Sequence, residues 1–86
     1  MVEKEVTVQN KTGLHARPAA MFVQKAGKFS STITVIKEER EANAKSIMSV
    51  MALGASQGST VVIRAEGSDE EEAVTALVEL VESFAE

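Results

Sequence analysis

The stretch STITVIKEEREAN, Ser31 to Asn43, decides the fold. Its first seven residues, Ser31 to Lys37, are crowded with β-branched side chains, which pack well on a pleated sheet and poorly in a helix. Glu38-Glu39 then reads as a tight turn, and Arg40 to Asn43 as a short polar return strand. A hairpin therefore sits in the middle of the chain, and the elements on either side have to complete its sheet and cover one face.

On the N-terminal side, Ala19, Phe22, Val23 and Ala26 fall at i, i+3, i+4 and i+7, and Gly27 follows. This predicts a helix ending at Ala26, with Phe29 packing as the chain leaves it. Pro18 fits a first turn, where its missing N–H has no intrahelical partner. Either Arg17 is the N-cap and Pro18 the first helical residue, or the helix starts at Ala16. Further back, Glu5 to Gln9 alternates with period two and reads as a strand. Asn10 to Gly13 is a loop.

On the C-terminal side, Ser46 is a credible N-cap for a short helix ending near Leu53, with Gly54 after it. Ser59 to Glu66 is a further β-branched strand. Ser68-Asp69-Glu70-Glu71 has the form of a capping box. It opens an amphipathic helix with Ala73, Val74, Leu77, Leu80, Val81 and Phe84 on its apolar stripe. The predicted order is βαββαβα. In so short a chain this means an α+β fold with one sheet, helices on one face and the other face largely solvated.

Composition narrows the chemistry. With 86 residues there is room for one domain, whose core is thin. There is no Cys and a single His, which excludes a disulfide framework, a thiolate metal site and a multi-histidine metal site. Three Phe are the only aromatics, too few for a base-stacking platform, and the net charge of −4 also argues against direct binding of nucleic acid. No apolar run is long enough for a membrane span, and MVEKEV lacks a signal-peptide core, so the expectation is a soluble protein that stays in the cytoplasm. Acidic residues are absent from Val6 to Lys37 and again from Ala42 to Ala65. If those stretches meet in space, an acidic protein carries one neutral-to-basic face suited to a phosphate or an acidic partner.

His15 lies where loop becomes helix. Partial positive charge from the helix dipole works against a second positive charge on the ring, and a neutral imidazole has the lone pair a nucleophile needs. Once the ring carries a phosphoryl group, first-turn N–H groups can bind its oxygens, and Arg17 offers a planar fork for them. The competing reading is a histidine that merely packs or caps the loop. In the short helix after Ser46, apolar residues are too many for one buried stripe. If Val50 and Leu53 face the sheet, Ile47, Met48 and Met51 form an exposed apolar patch of the kind that marks a partner surface. Ser46 is most simply an N-cap. A phosphate there would sit well at the helix start and put negative charge at the edge of the patch.

TGLHARPAA, Thr12 to Ala20, and KSIMSVMALG, Lys45 to Gly54, together resemble the histidine-containing phosphocarrier (HPr) family of the bacterial phosphoenolpyruvate-dependent sugar phosphotransferase system. Element order and length agree, so the resemblance covers nearly the whole chain as one domain, 1–86. Ser49 stands where a glycine is common in the family. The resemblance implies an open-faced β-sandwich, a four-stranded antiparallel sheet with three helices on one face. It implies a phosphocarrier, not an autonomous enzyme, with no cofactor and no metal. His15 would accept phosphate at Nδ1 from phosphorylated enzyme I and pass it to sugar-specific enzyme II components, with Arg17 assisting. Ser46 would be the target of HPr kinase/phosphorylase, and the Ser46-phosphorylated form a corepressor with a catabolite control protein. Ala16, Ala20, Gln24, Ile47, Met48 and Met51 would form the partner surface of a monomer. A regulatory-only branch of the family lacks the active histidine, and His15 counts against that branch. The alternative from another class is a pure interaction module with an incidental histidine.

Overall fold

The computed structural model describes residues 1–84. Its elements are β1 (Val2–Thr7), α1 (Arg17–Ala26), β2 (Thr32–Lys37), β3 (Arg40–Asn43), α2 (Ile47–Ala52), β4 (Thr60–Glu66) and α3 (Glu70–Ser83). The strands form one sheet in the order β1-β4-β2-β3, with every neighbouring pair antiparallel. The open-faced α+β sandwich is therefore present, in the predicted order.

The hairpin is as read: Val35 faces Ala42, Lys37 faces Arg40, and Glu38-Glu39 make the turn. Period two then sorts the sheet. Val6, Ile33, Val35, Ala42, Val61, Ile63 and Ala65 point to the helices and are buried, while Glu3, Glu5, Thr7, Thr32 and Thr60 stay exposed. Helix α3 packs on β1, β4 and α1, and α2 packs on α1 and β3. Phe22, Leu77, Ile33 and Ile63 are fully buried between the layers. Each contributes roughly 1.5–3 kcal/mol by leaving water.

Several boundaries differ from expectation; β2 and β4 each start one residue later than read, at Thr32 and Thr60. β1 runs over Val2–Thr7, not Glu5–Gln9. Main-chain pairing with β4 needs no apolar side chain, so the polar Glu3-Lys4-Glu5 joins the ladder, with Glu3 opposite Arg64 and paired to it. Val8 and Gln9 lie past the ladder but are tied to the loop before β4: Val8 N–H donates to Ser59 O at 2.8 Å, and Gly58 N–H to Val8 O at 2.7 Å. Helix α1 starts at Arg17, between the two starts considered, with Ala16 as N-cap.

The capping box does not form. The N-cap of α3 is Asp69, whose carboxylate makes no local cap and instead accepts from Ser30 N–H, Ser31 N–H and Ser31 Oγ–H of the α1–β2 loop. Ser68 Oγ lies 3.2 Å from Ser30 Oγ. Tertiary donors thus take the carboxylate that local geometry offered to the helix start. Glu70, one position before the expected glutamate, accepts from Gly67 N–H at 3.0 Å and holds the N-terminal ammonium at 2.8 Å. The apolar stripe of α3 is as expected, with Ala73, Val74, Leu77 and Val81 buried and Leu80 and Phe84 half-buried.

Candidate functional site at the start of helix α1

The loop carrying His15 is held from below. Gly13 takes φ 68°, and a Cβ at that position would lie 2.2 Å from Ala55 O, so only glycine fits. Leu14 is buried and donates its N–H to the same Ala55 O at 3.0 Å. With Leu14 anchored inward, the next residue is turned out, and His15 is exposed. The imidazole is therefore open to a docked partner rather than locked in the core. Ala16, also exposed, is at φ 55°, ψ −123°, a region L-residues rarely adopt.

Ala20 N–H to Ala16 O at 3.0 Å is the first hydrogen bond of α1. The N–H groups of Arg17 and Ala19 precede it and have no intrahelical acceptor, and Pro18 has none to offer. These donors and the positive end of the helix dipole lie next to His15, and no acidic residue occupies the first turn. Among the described residues Arg17 makes no ion pair and no side-chain hydrogen bond, so its guanidinium is available to an incoming anion. An open recess of about 440 Å³ beside it is lined by Asn10, Thr12, Pro18, Met21 and Phe84. Another recess, of about 420 Å³, lies between Phe29 and the α3 residues Glu71, Glu72 and Glu79, whose carboxylates repel a phosphate.

The two acid-free stretches do meet: α1 packs on α2, and β2 pairs with β4. On α1, Arg17, Ala20, Met21 and Gln24 fall on one face by their spacing. Gln24 is exposed, Met21 43% exposed and Ala20 half-buried. On α2, Val50 and Leu53 are buried, while Met48 is 73% exposed, Ile47 39% exposed and Met51 half-buried. The apolar patch is thus present. Met21 extends it; its place four residues after Arg17 was the sequence signal for it.

Ser46 is the N-cap of α2 and accepts from Ser49 N–H at 3.3 Å. The residue is half-buried. Lys45 beside it donates to Phe29 O at 2.8 Å, and Arg40 donates to Ala52 O at the far end of the helix at 2.6 Å. Neither cation contact was legible in the sequence. No group of three or more His, Asp or Glu among the described residues is placed to hold a metal, and none of their helices is long and apolar enough to cross a membrane.

Fold and site together define a class of small open-faced sandwiches that display one histidine at a helix start. The model of the PTS HPr component phosphorylation site matches residues 2–83. The chain belongs to the HPr family of the phosphotransferase system, a family of phosphocarriers rather than enzymes. It is 53% identical over 83 residues to the phosphocarrier protein HPr of Xylella fastidiosa, covering 96% of this chain and 93% of that one. It is 52% identical over 82 residues to the HPr-like protein Crh of Halalkalibacterium halodurans, covering 95% and 98%. The crystal structure of HPr-C-His from Thermoanaerobacter tengcongensis superposes with a TM-score of 0.94 at 61% identity, covering 96% and 93% of the two chains. A dimer of HPr from the same organism matches with a TM-score of 0.77, covering 96% and 95%.

Proposed function

We propose that this chain accepts a phosphoryl group on His15 from phosphorylated enzyme I and passes it to sugar-specific enzyme II components. The single observation that carries this reading is the exposed His15 beside the open N–H groups of the first turn of α1 and an Arg17 that makes no ion pair among the described residues. In the transfer, a lone pair of the His15 ring, at Nδ1 by the family resemblance, forms the new N–P bond. The bond from phosphorus to the donor's nitrogen breaks and its electron pair returns to the donor ring. Neither step needs a metal ligand or a base from this chain. What this chain supplies is position and charge: the N–H groups of Arg17 and Ala19 and the Arg17 guanidinium face developing negative charge on the phosphoryl oxygens.

Ala16, Ala20, Gln24, Ile47, Met48 and Met51, together with Met21, form the docking surface for both donor and acceptor. Ser46 is the site at which an HPr kinase/phosphorylase regulates the chain, and its phosphorylated form serves a catabolite control protein. The chain acts in the cytoplasm as a monomer, an oligomeric state that light scattering checks against the dimer solved for the Thermoanaerobacter relative. The Crh-like relative is as similar as the HPr relative, so identity does not separate carrier from regulator; His15 favours the carrier.

Incubation with phosphoenolpyruvate and enzyme I tests the reading. The wild-type chain gains one acid-labile, base-stable phosphate, and His15→Ala gains none while keeping its circular dichroism. A wild-type chain that takes up nothing, or a His15→Ala chain that takes up phosphate at the normal rate, ends the carrier hypothesis.

A further inference from the structure

Asn10 is 2% exposed, one of two polar side chains buried with the core among the described residues. Its Nδ2 donates to Gly13 O at 2.9 Å and to Thr12 Oγ1 at 3.2 Å, and its main-chain O accepts from Gly13 N–H at 3.1 Å. Its Oδ1 is buried and has no hydrogen-bond partner among the described residues. An unpaired buried carbonyl oxygen opposes folding, so the carboxamide gives back part of what its donated bonds contribute. An apolar side chain of similar volume would avoid that penalty but would leave Gly13 O without its donor. The specific product of Asn10 is therefore geometry: it closes the four-residue loop Asn10–Gly13 on itself.

That loop sets where His15 stands. Gly13 is clamped on one side by its contact with Ala55 O, which leaves no room for a Cβ, and on the other by Asn10. Leu14 is fixed inward through the same Ala55 O. His15 follows immediately, and the helix whose N–H groups receive the phosphoryl oxygens starts two residues later. In-line phosphoryl transfer tolerates little error in the distance between attacking nitrogen and phosphorus, and a displacement of about 1 Å can cost about a hundredfold in rate. We propose that Asn10 is a positioning residue for phosphoryl transfer at His15, acting by holding the Asn10–Gly13 loop in one conformation. It touches no reacting atom. This inference rests on the carrier reading above.

The test measures phosphoryl transfer from phosphorylated enzyme I to Asn10→Ala and Asn10→Leu as a function of carrier concentration. Asn10→Leu has nearly the shape of Asn10, buries no charge and lacks its N–H donors, so it remains readable if the alanine variant leaves a cavity and fails to fold. Ser31→Ala, which loses a hydrogen bond at the opposite end of the sheet, is the control for general destabilisation. The expected result is a fall of about tenfold or more in the rate at saturating carrier for the Asn10 variants, with KM within about twofold of wild type. Ser31→Ala keeps the wild-type rate despite a lower melting temperature. Wild-type rates at saturation in either folded Asn10 variant, or an equal loss in Ser31→Ala, overturn the proposal. Absence of transfer to the wild-type chain would instead strike at the carrier reading itself.

Discussion

Ser31 Oγ–H donates to Asp69 Oδ1 at 2.5 Å, tying the loop after α1 to the N-cap of α3. The Ser31 hydroxyl, helped by the N–H groups of Ser30 and Ser31, lowers the Asp69 carboxyl from 3.8 to about 2. Its folded value lies below its unfolded one, so the stabilisation is fully present above about pH 4 and is lost as pH falls toward 2. Glu70, lowered by the N-terminal ammonium and by Gly67 N–H, acts with the same sign. Urea midpoints measured from pH 5 to pH 2 should fall through this window. In Asp69→Asn the fall should be shallower and the midpoint at pH 7 lower. An unchanged acid slope in that variant would remove the role given to Asp69.

Arg40 caps a helix it does not belong to. Its Nη2 donates to Ala52 O, the last carbonyl end of α2, whose own last turn has no basic residue. A cation at a helix C-terminus is worth about 0.3–1 kcal/mol at an exposed site. Arg40→Ala should lower stability by about that much and speed amide exchange at Leu53 and Gly54, whose N–H groups close the final turn. Exchange unchanged at those two positions would show the contact to be idle.

Ser46 offers a sharper test of regulation than of folding. Its Oγ accepts from Ser49 N–H, a bond an aspartate at the same position makes equally well. Ser46→Asp should therefore keep the melting temperature within a few degrees. The added charge lies at the edge of the Ile47–Met48–Met51 patch, so it should raise the KM for transfer from enzyme I about tenfold, with less effect at saturation. Kinetics identical to wild type would leave Ser46 as a cap and nothing more.

The turn between β2 and β3 carries avoidable strain. Glu38 and Glu39 sit at φ 51° and 70°, the left-handed pair a two-residue hairpin demands and asparagine-glycine supplies most readily. Replacing the pair with Asn-Gly should stabilise the chain by about 1–2 kcal/mol, read from denaturant midpoints with an unchanged m-value. Transfer rates should not move, because the turn belongs to no part of the site.

Period and propensity made the hairpin, the α1 stripe and the α3 stripe legible, because each follows from neighbours within two turns or one strand. The same local logic separated Val50 and Leu53 from Met48 on α2. Residues whose partners lie far along the chain were misread or missed. Asp69 looked like part of a local cap, yet its donors are Ser30 and Ser31, nearly forty positions earlier. Asn10 read as a loop residue, although it is buried beneath the loop it closes. Lys45 and Arg40 have no local sign of their partners: Lys45 donates to a carbonyl of the α1–β2 loop and Arg40 to one at the end of α2. His15 itself was found from its motif and its position before Pro18; its exposure required knowing that Leu14 is anchored inward.

Ala16 links strain to that exposure. At φ 55°, ψ −123° an alanine is held where backbone sterics disfavour it by about 1–3 kcal/mol, and it stands between His15 and the first helical residue. Ala16→Gly removes the Cβ clash but widens the unfolded ensemble, so the net gain should be about 1 kcal/mol or less. The freed backbone no longer sets the angle at which His15 leaves α1, so transfer should slow severalfold even as stability rises. Opposite signs in the two measurements would tie the strain to positioning. A variant that is both more stable and equally fast would show that the strained residue contributes nothing to the site.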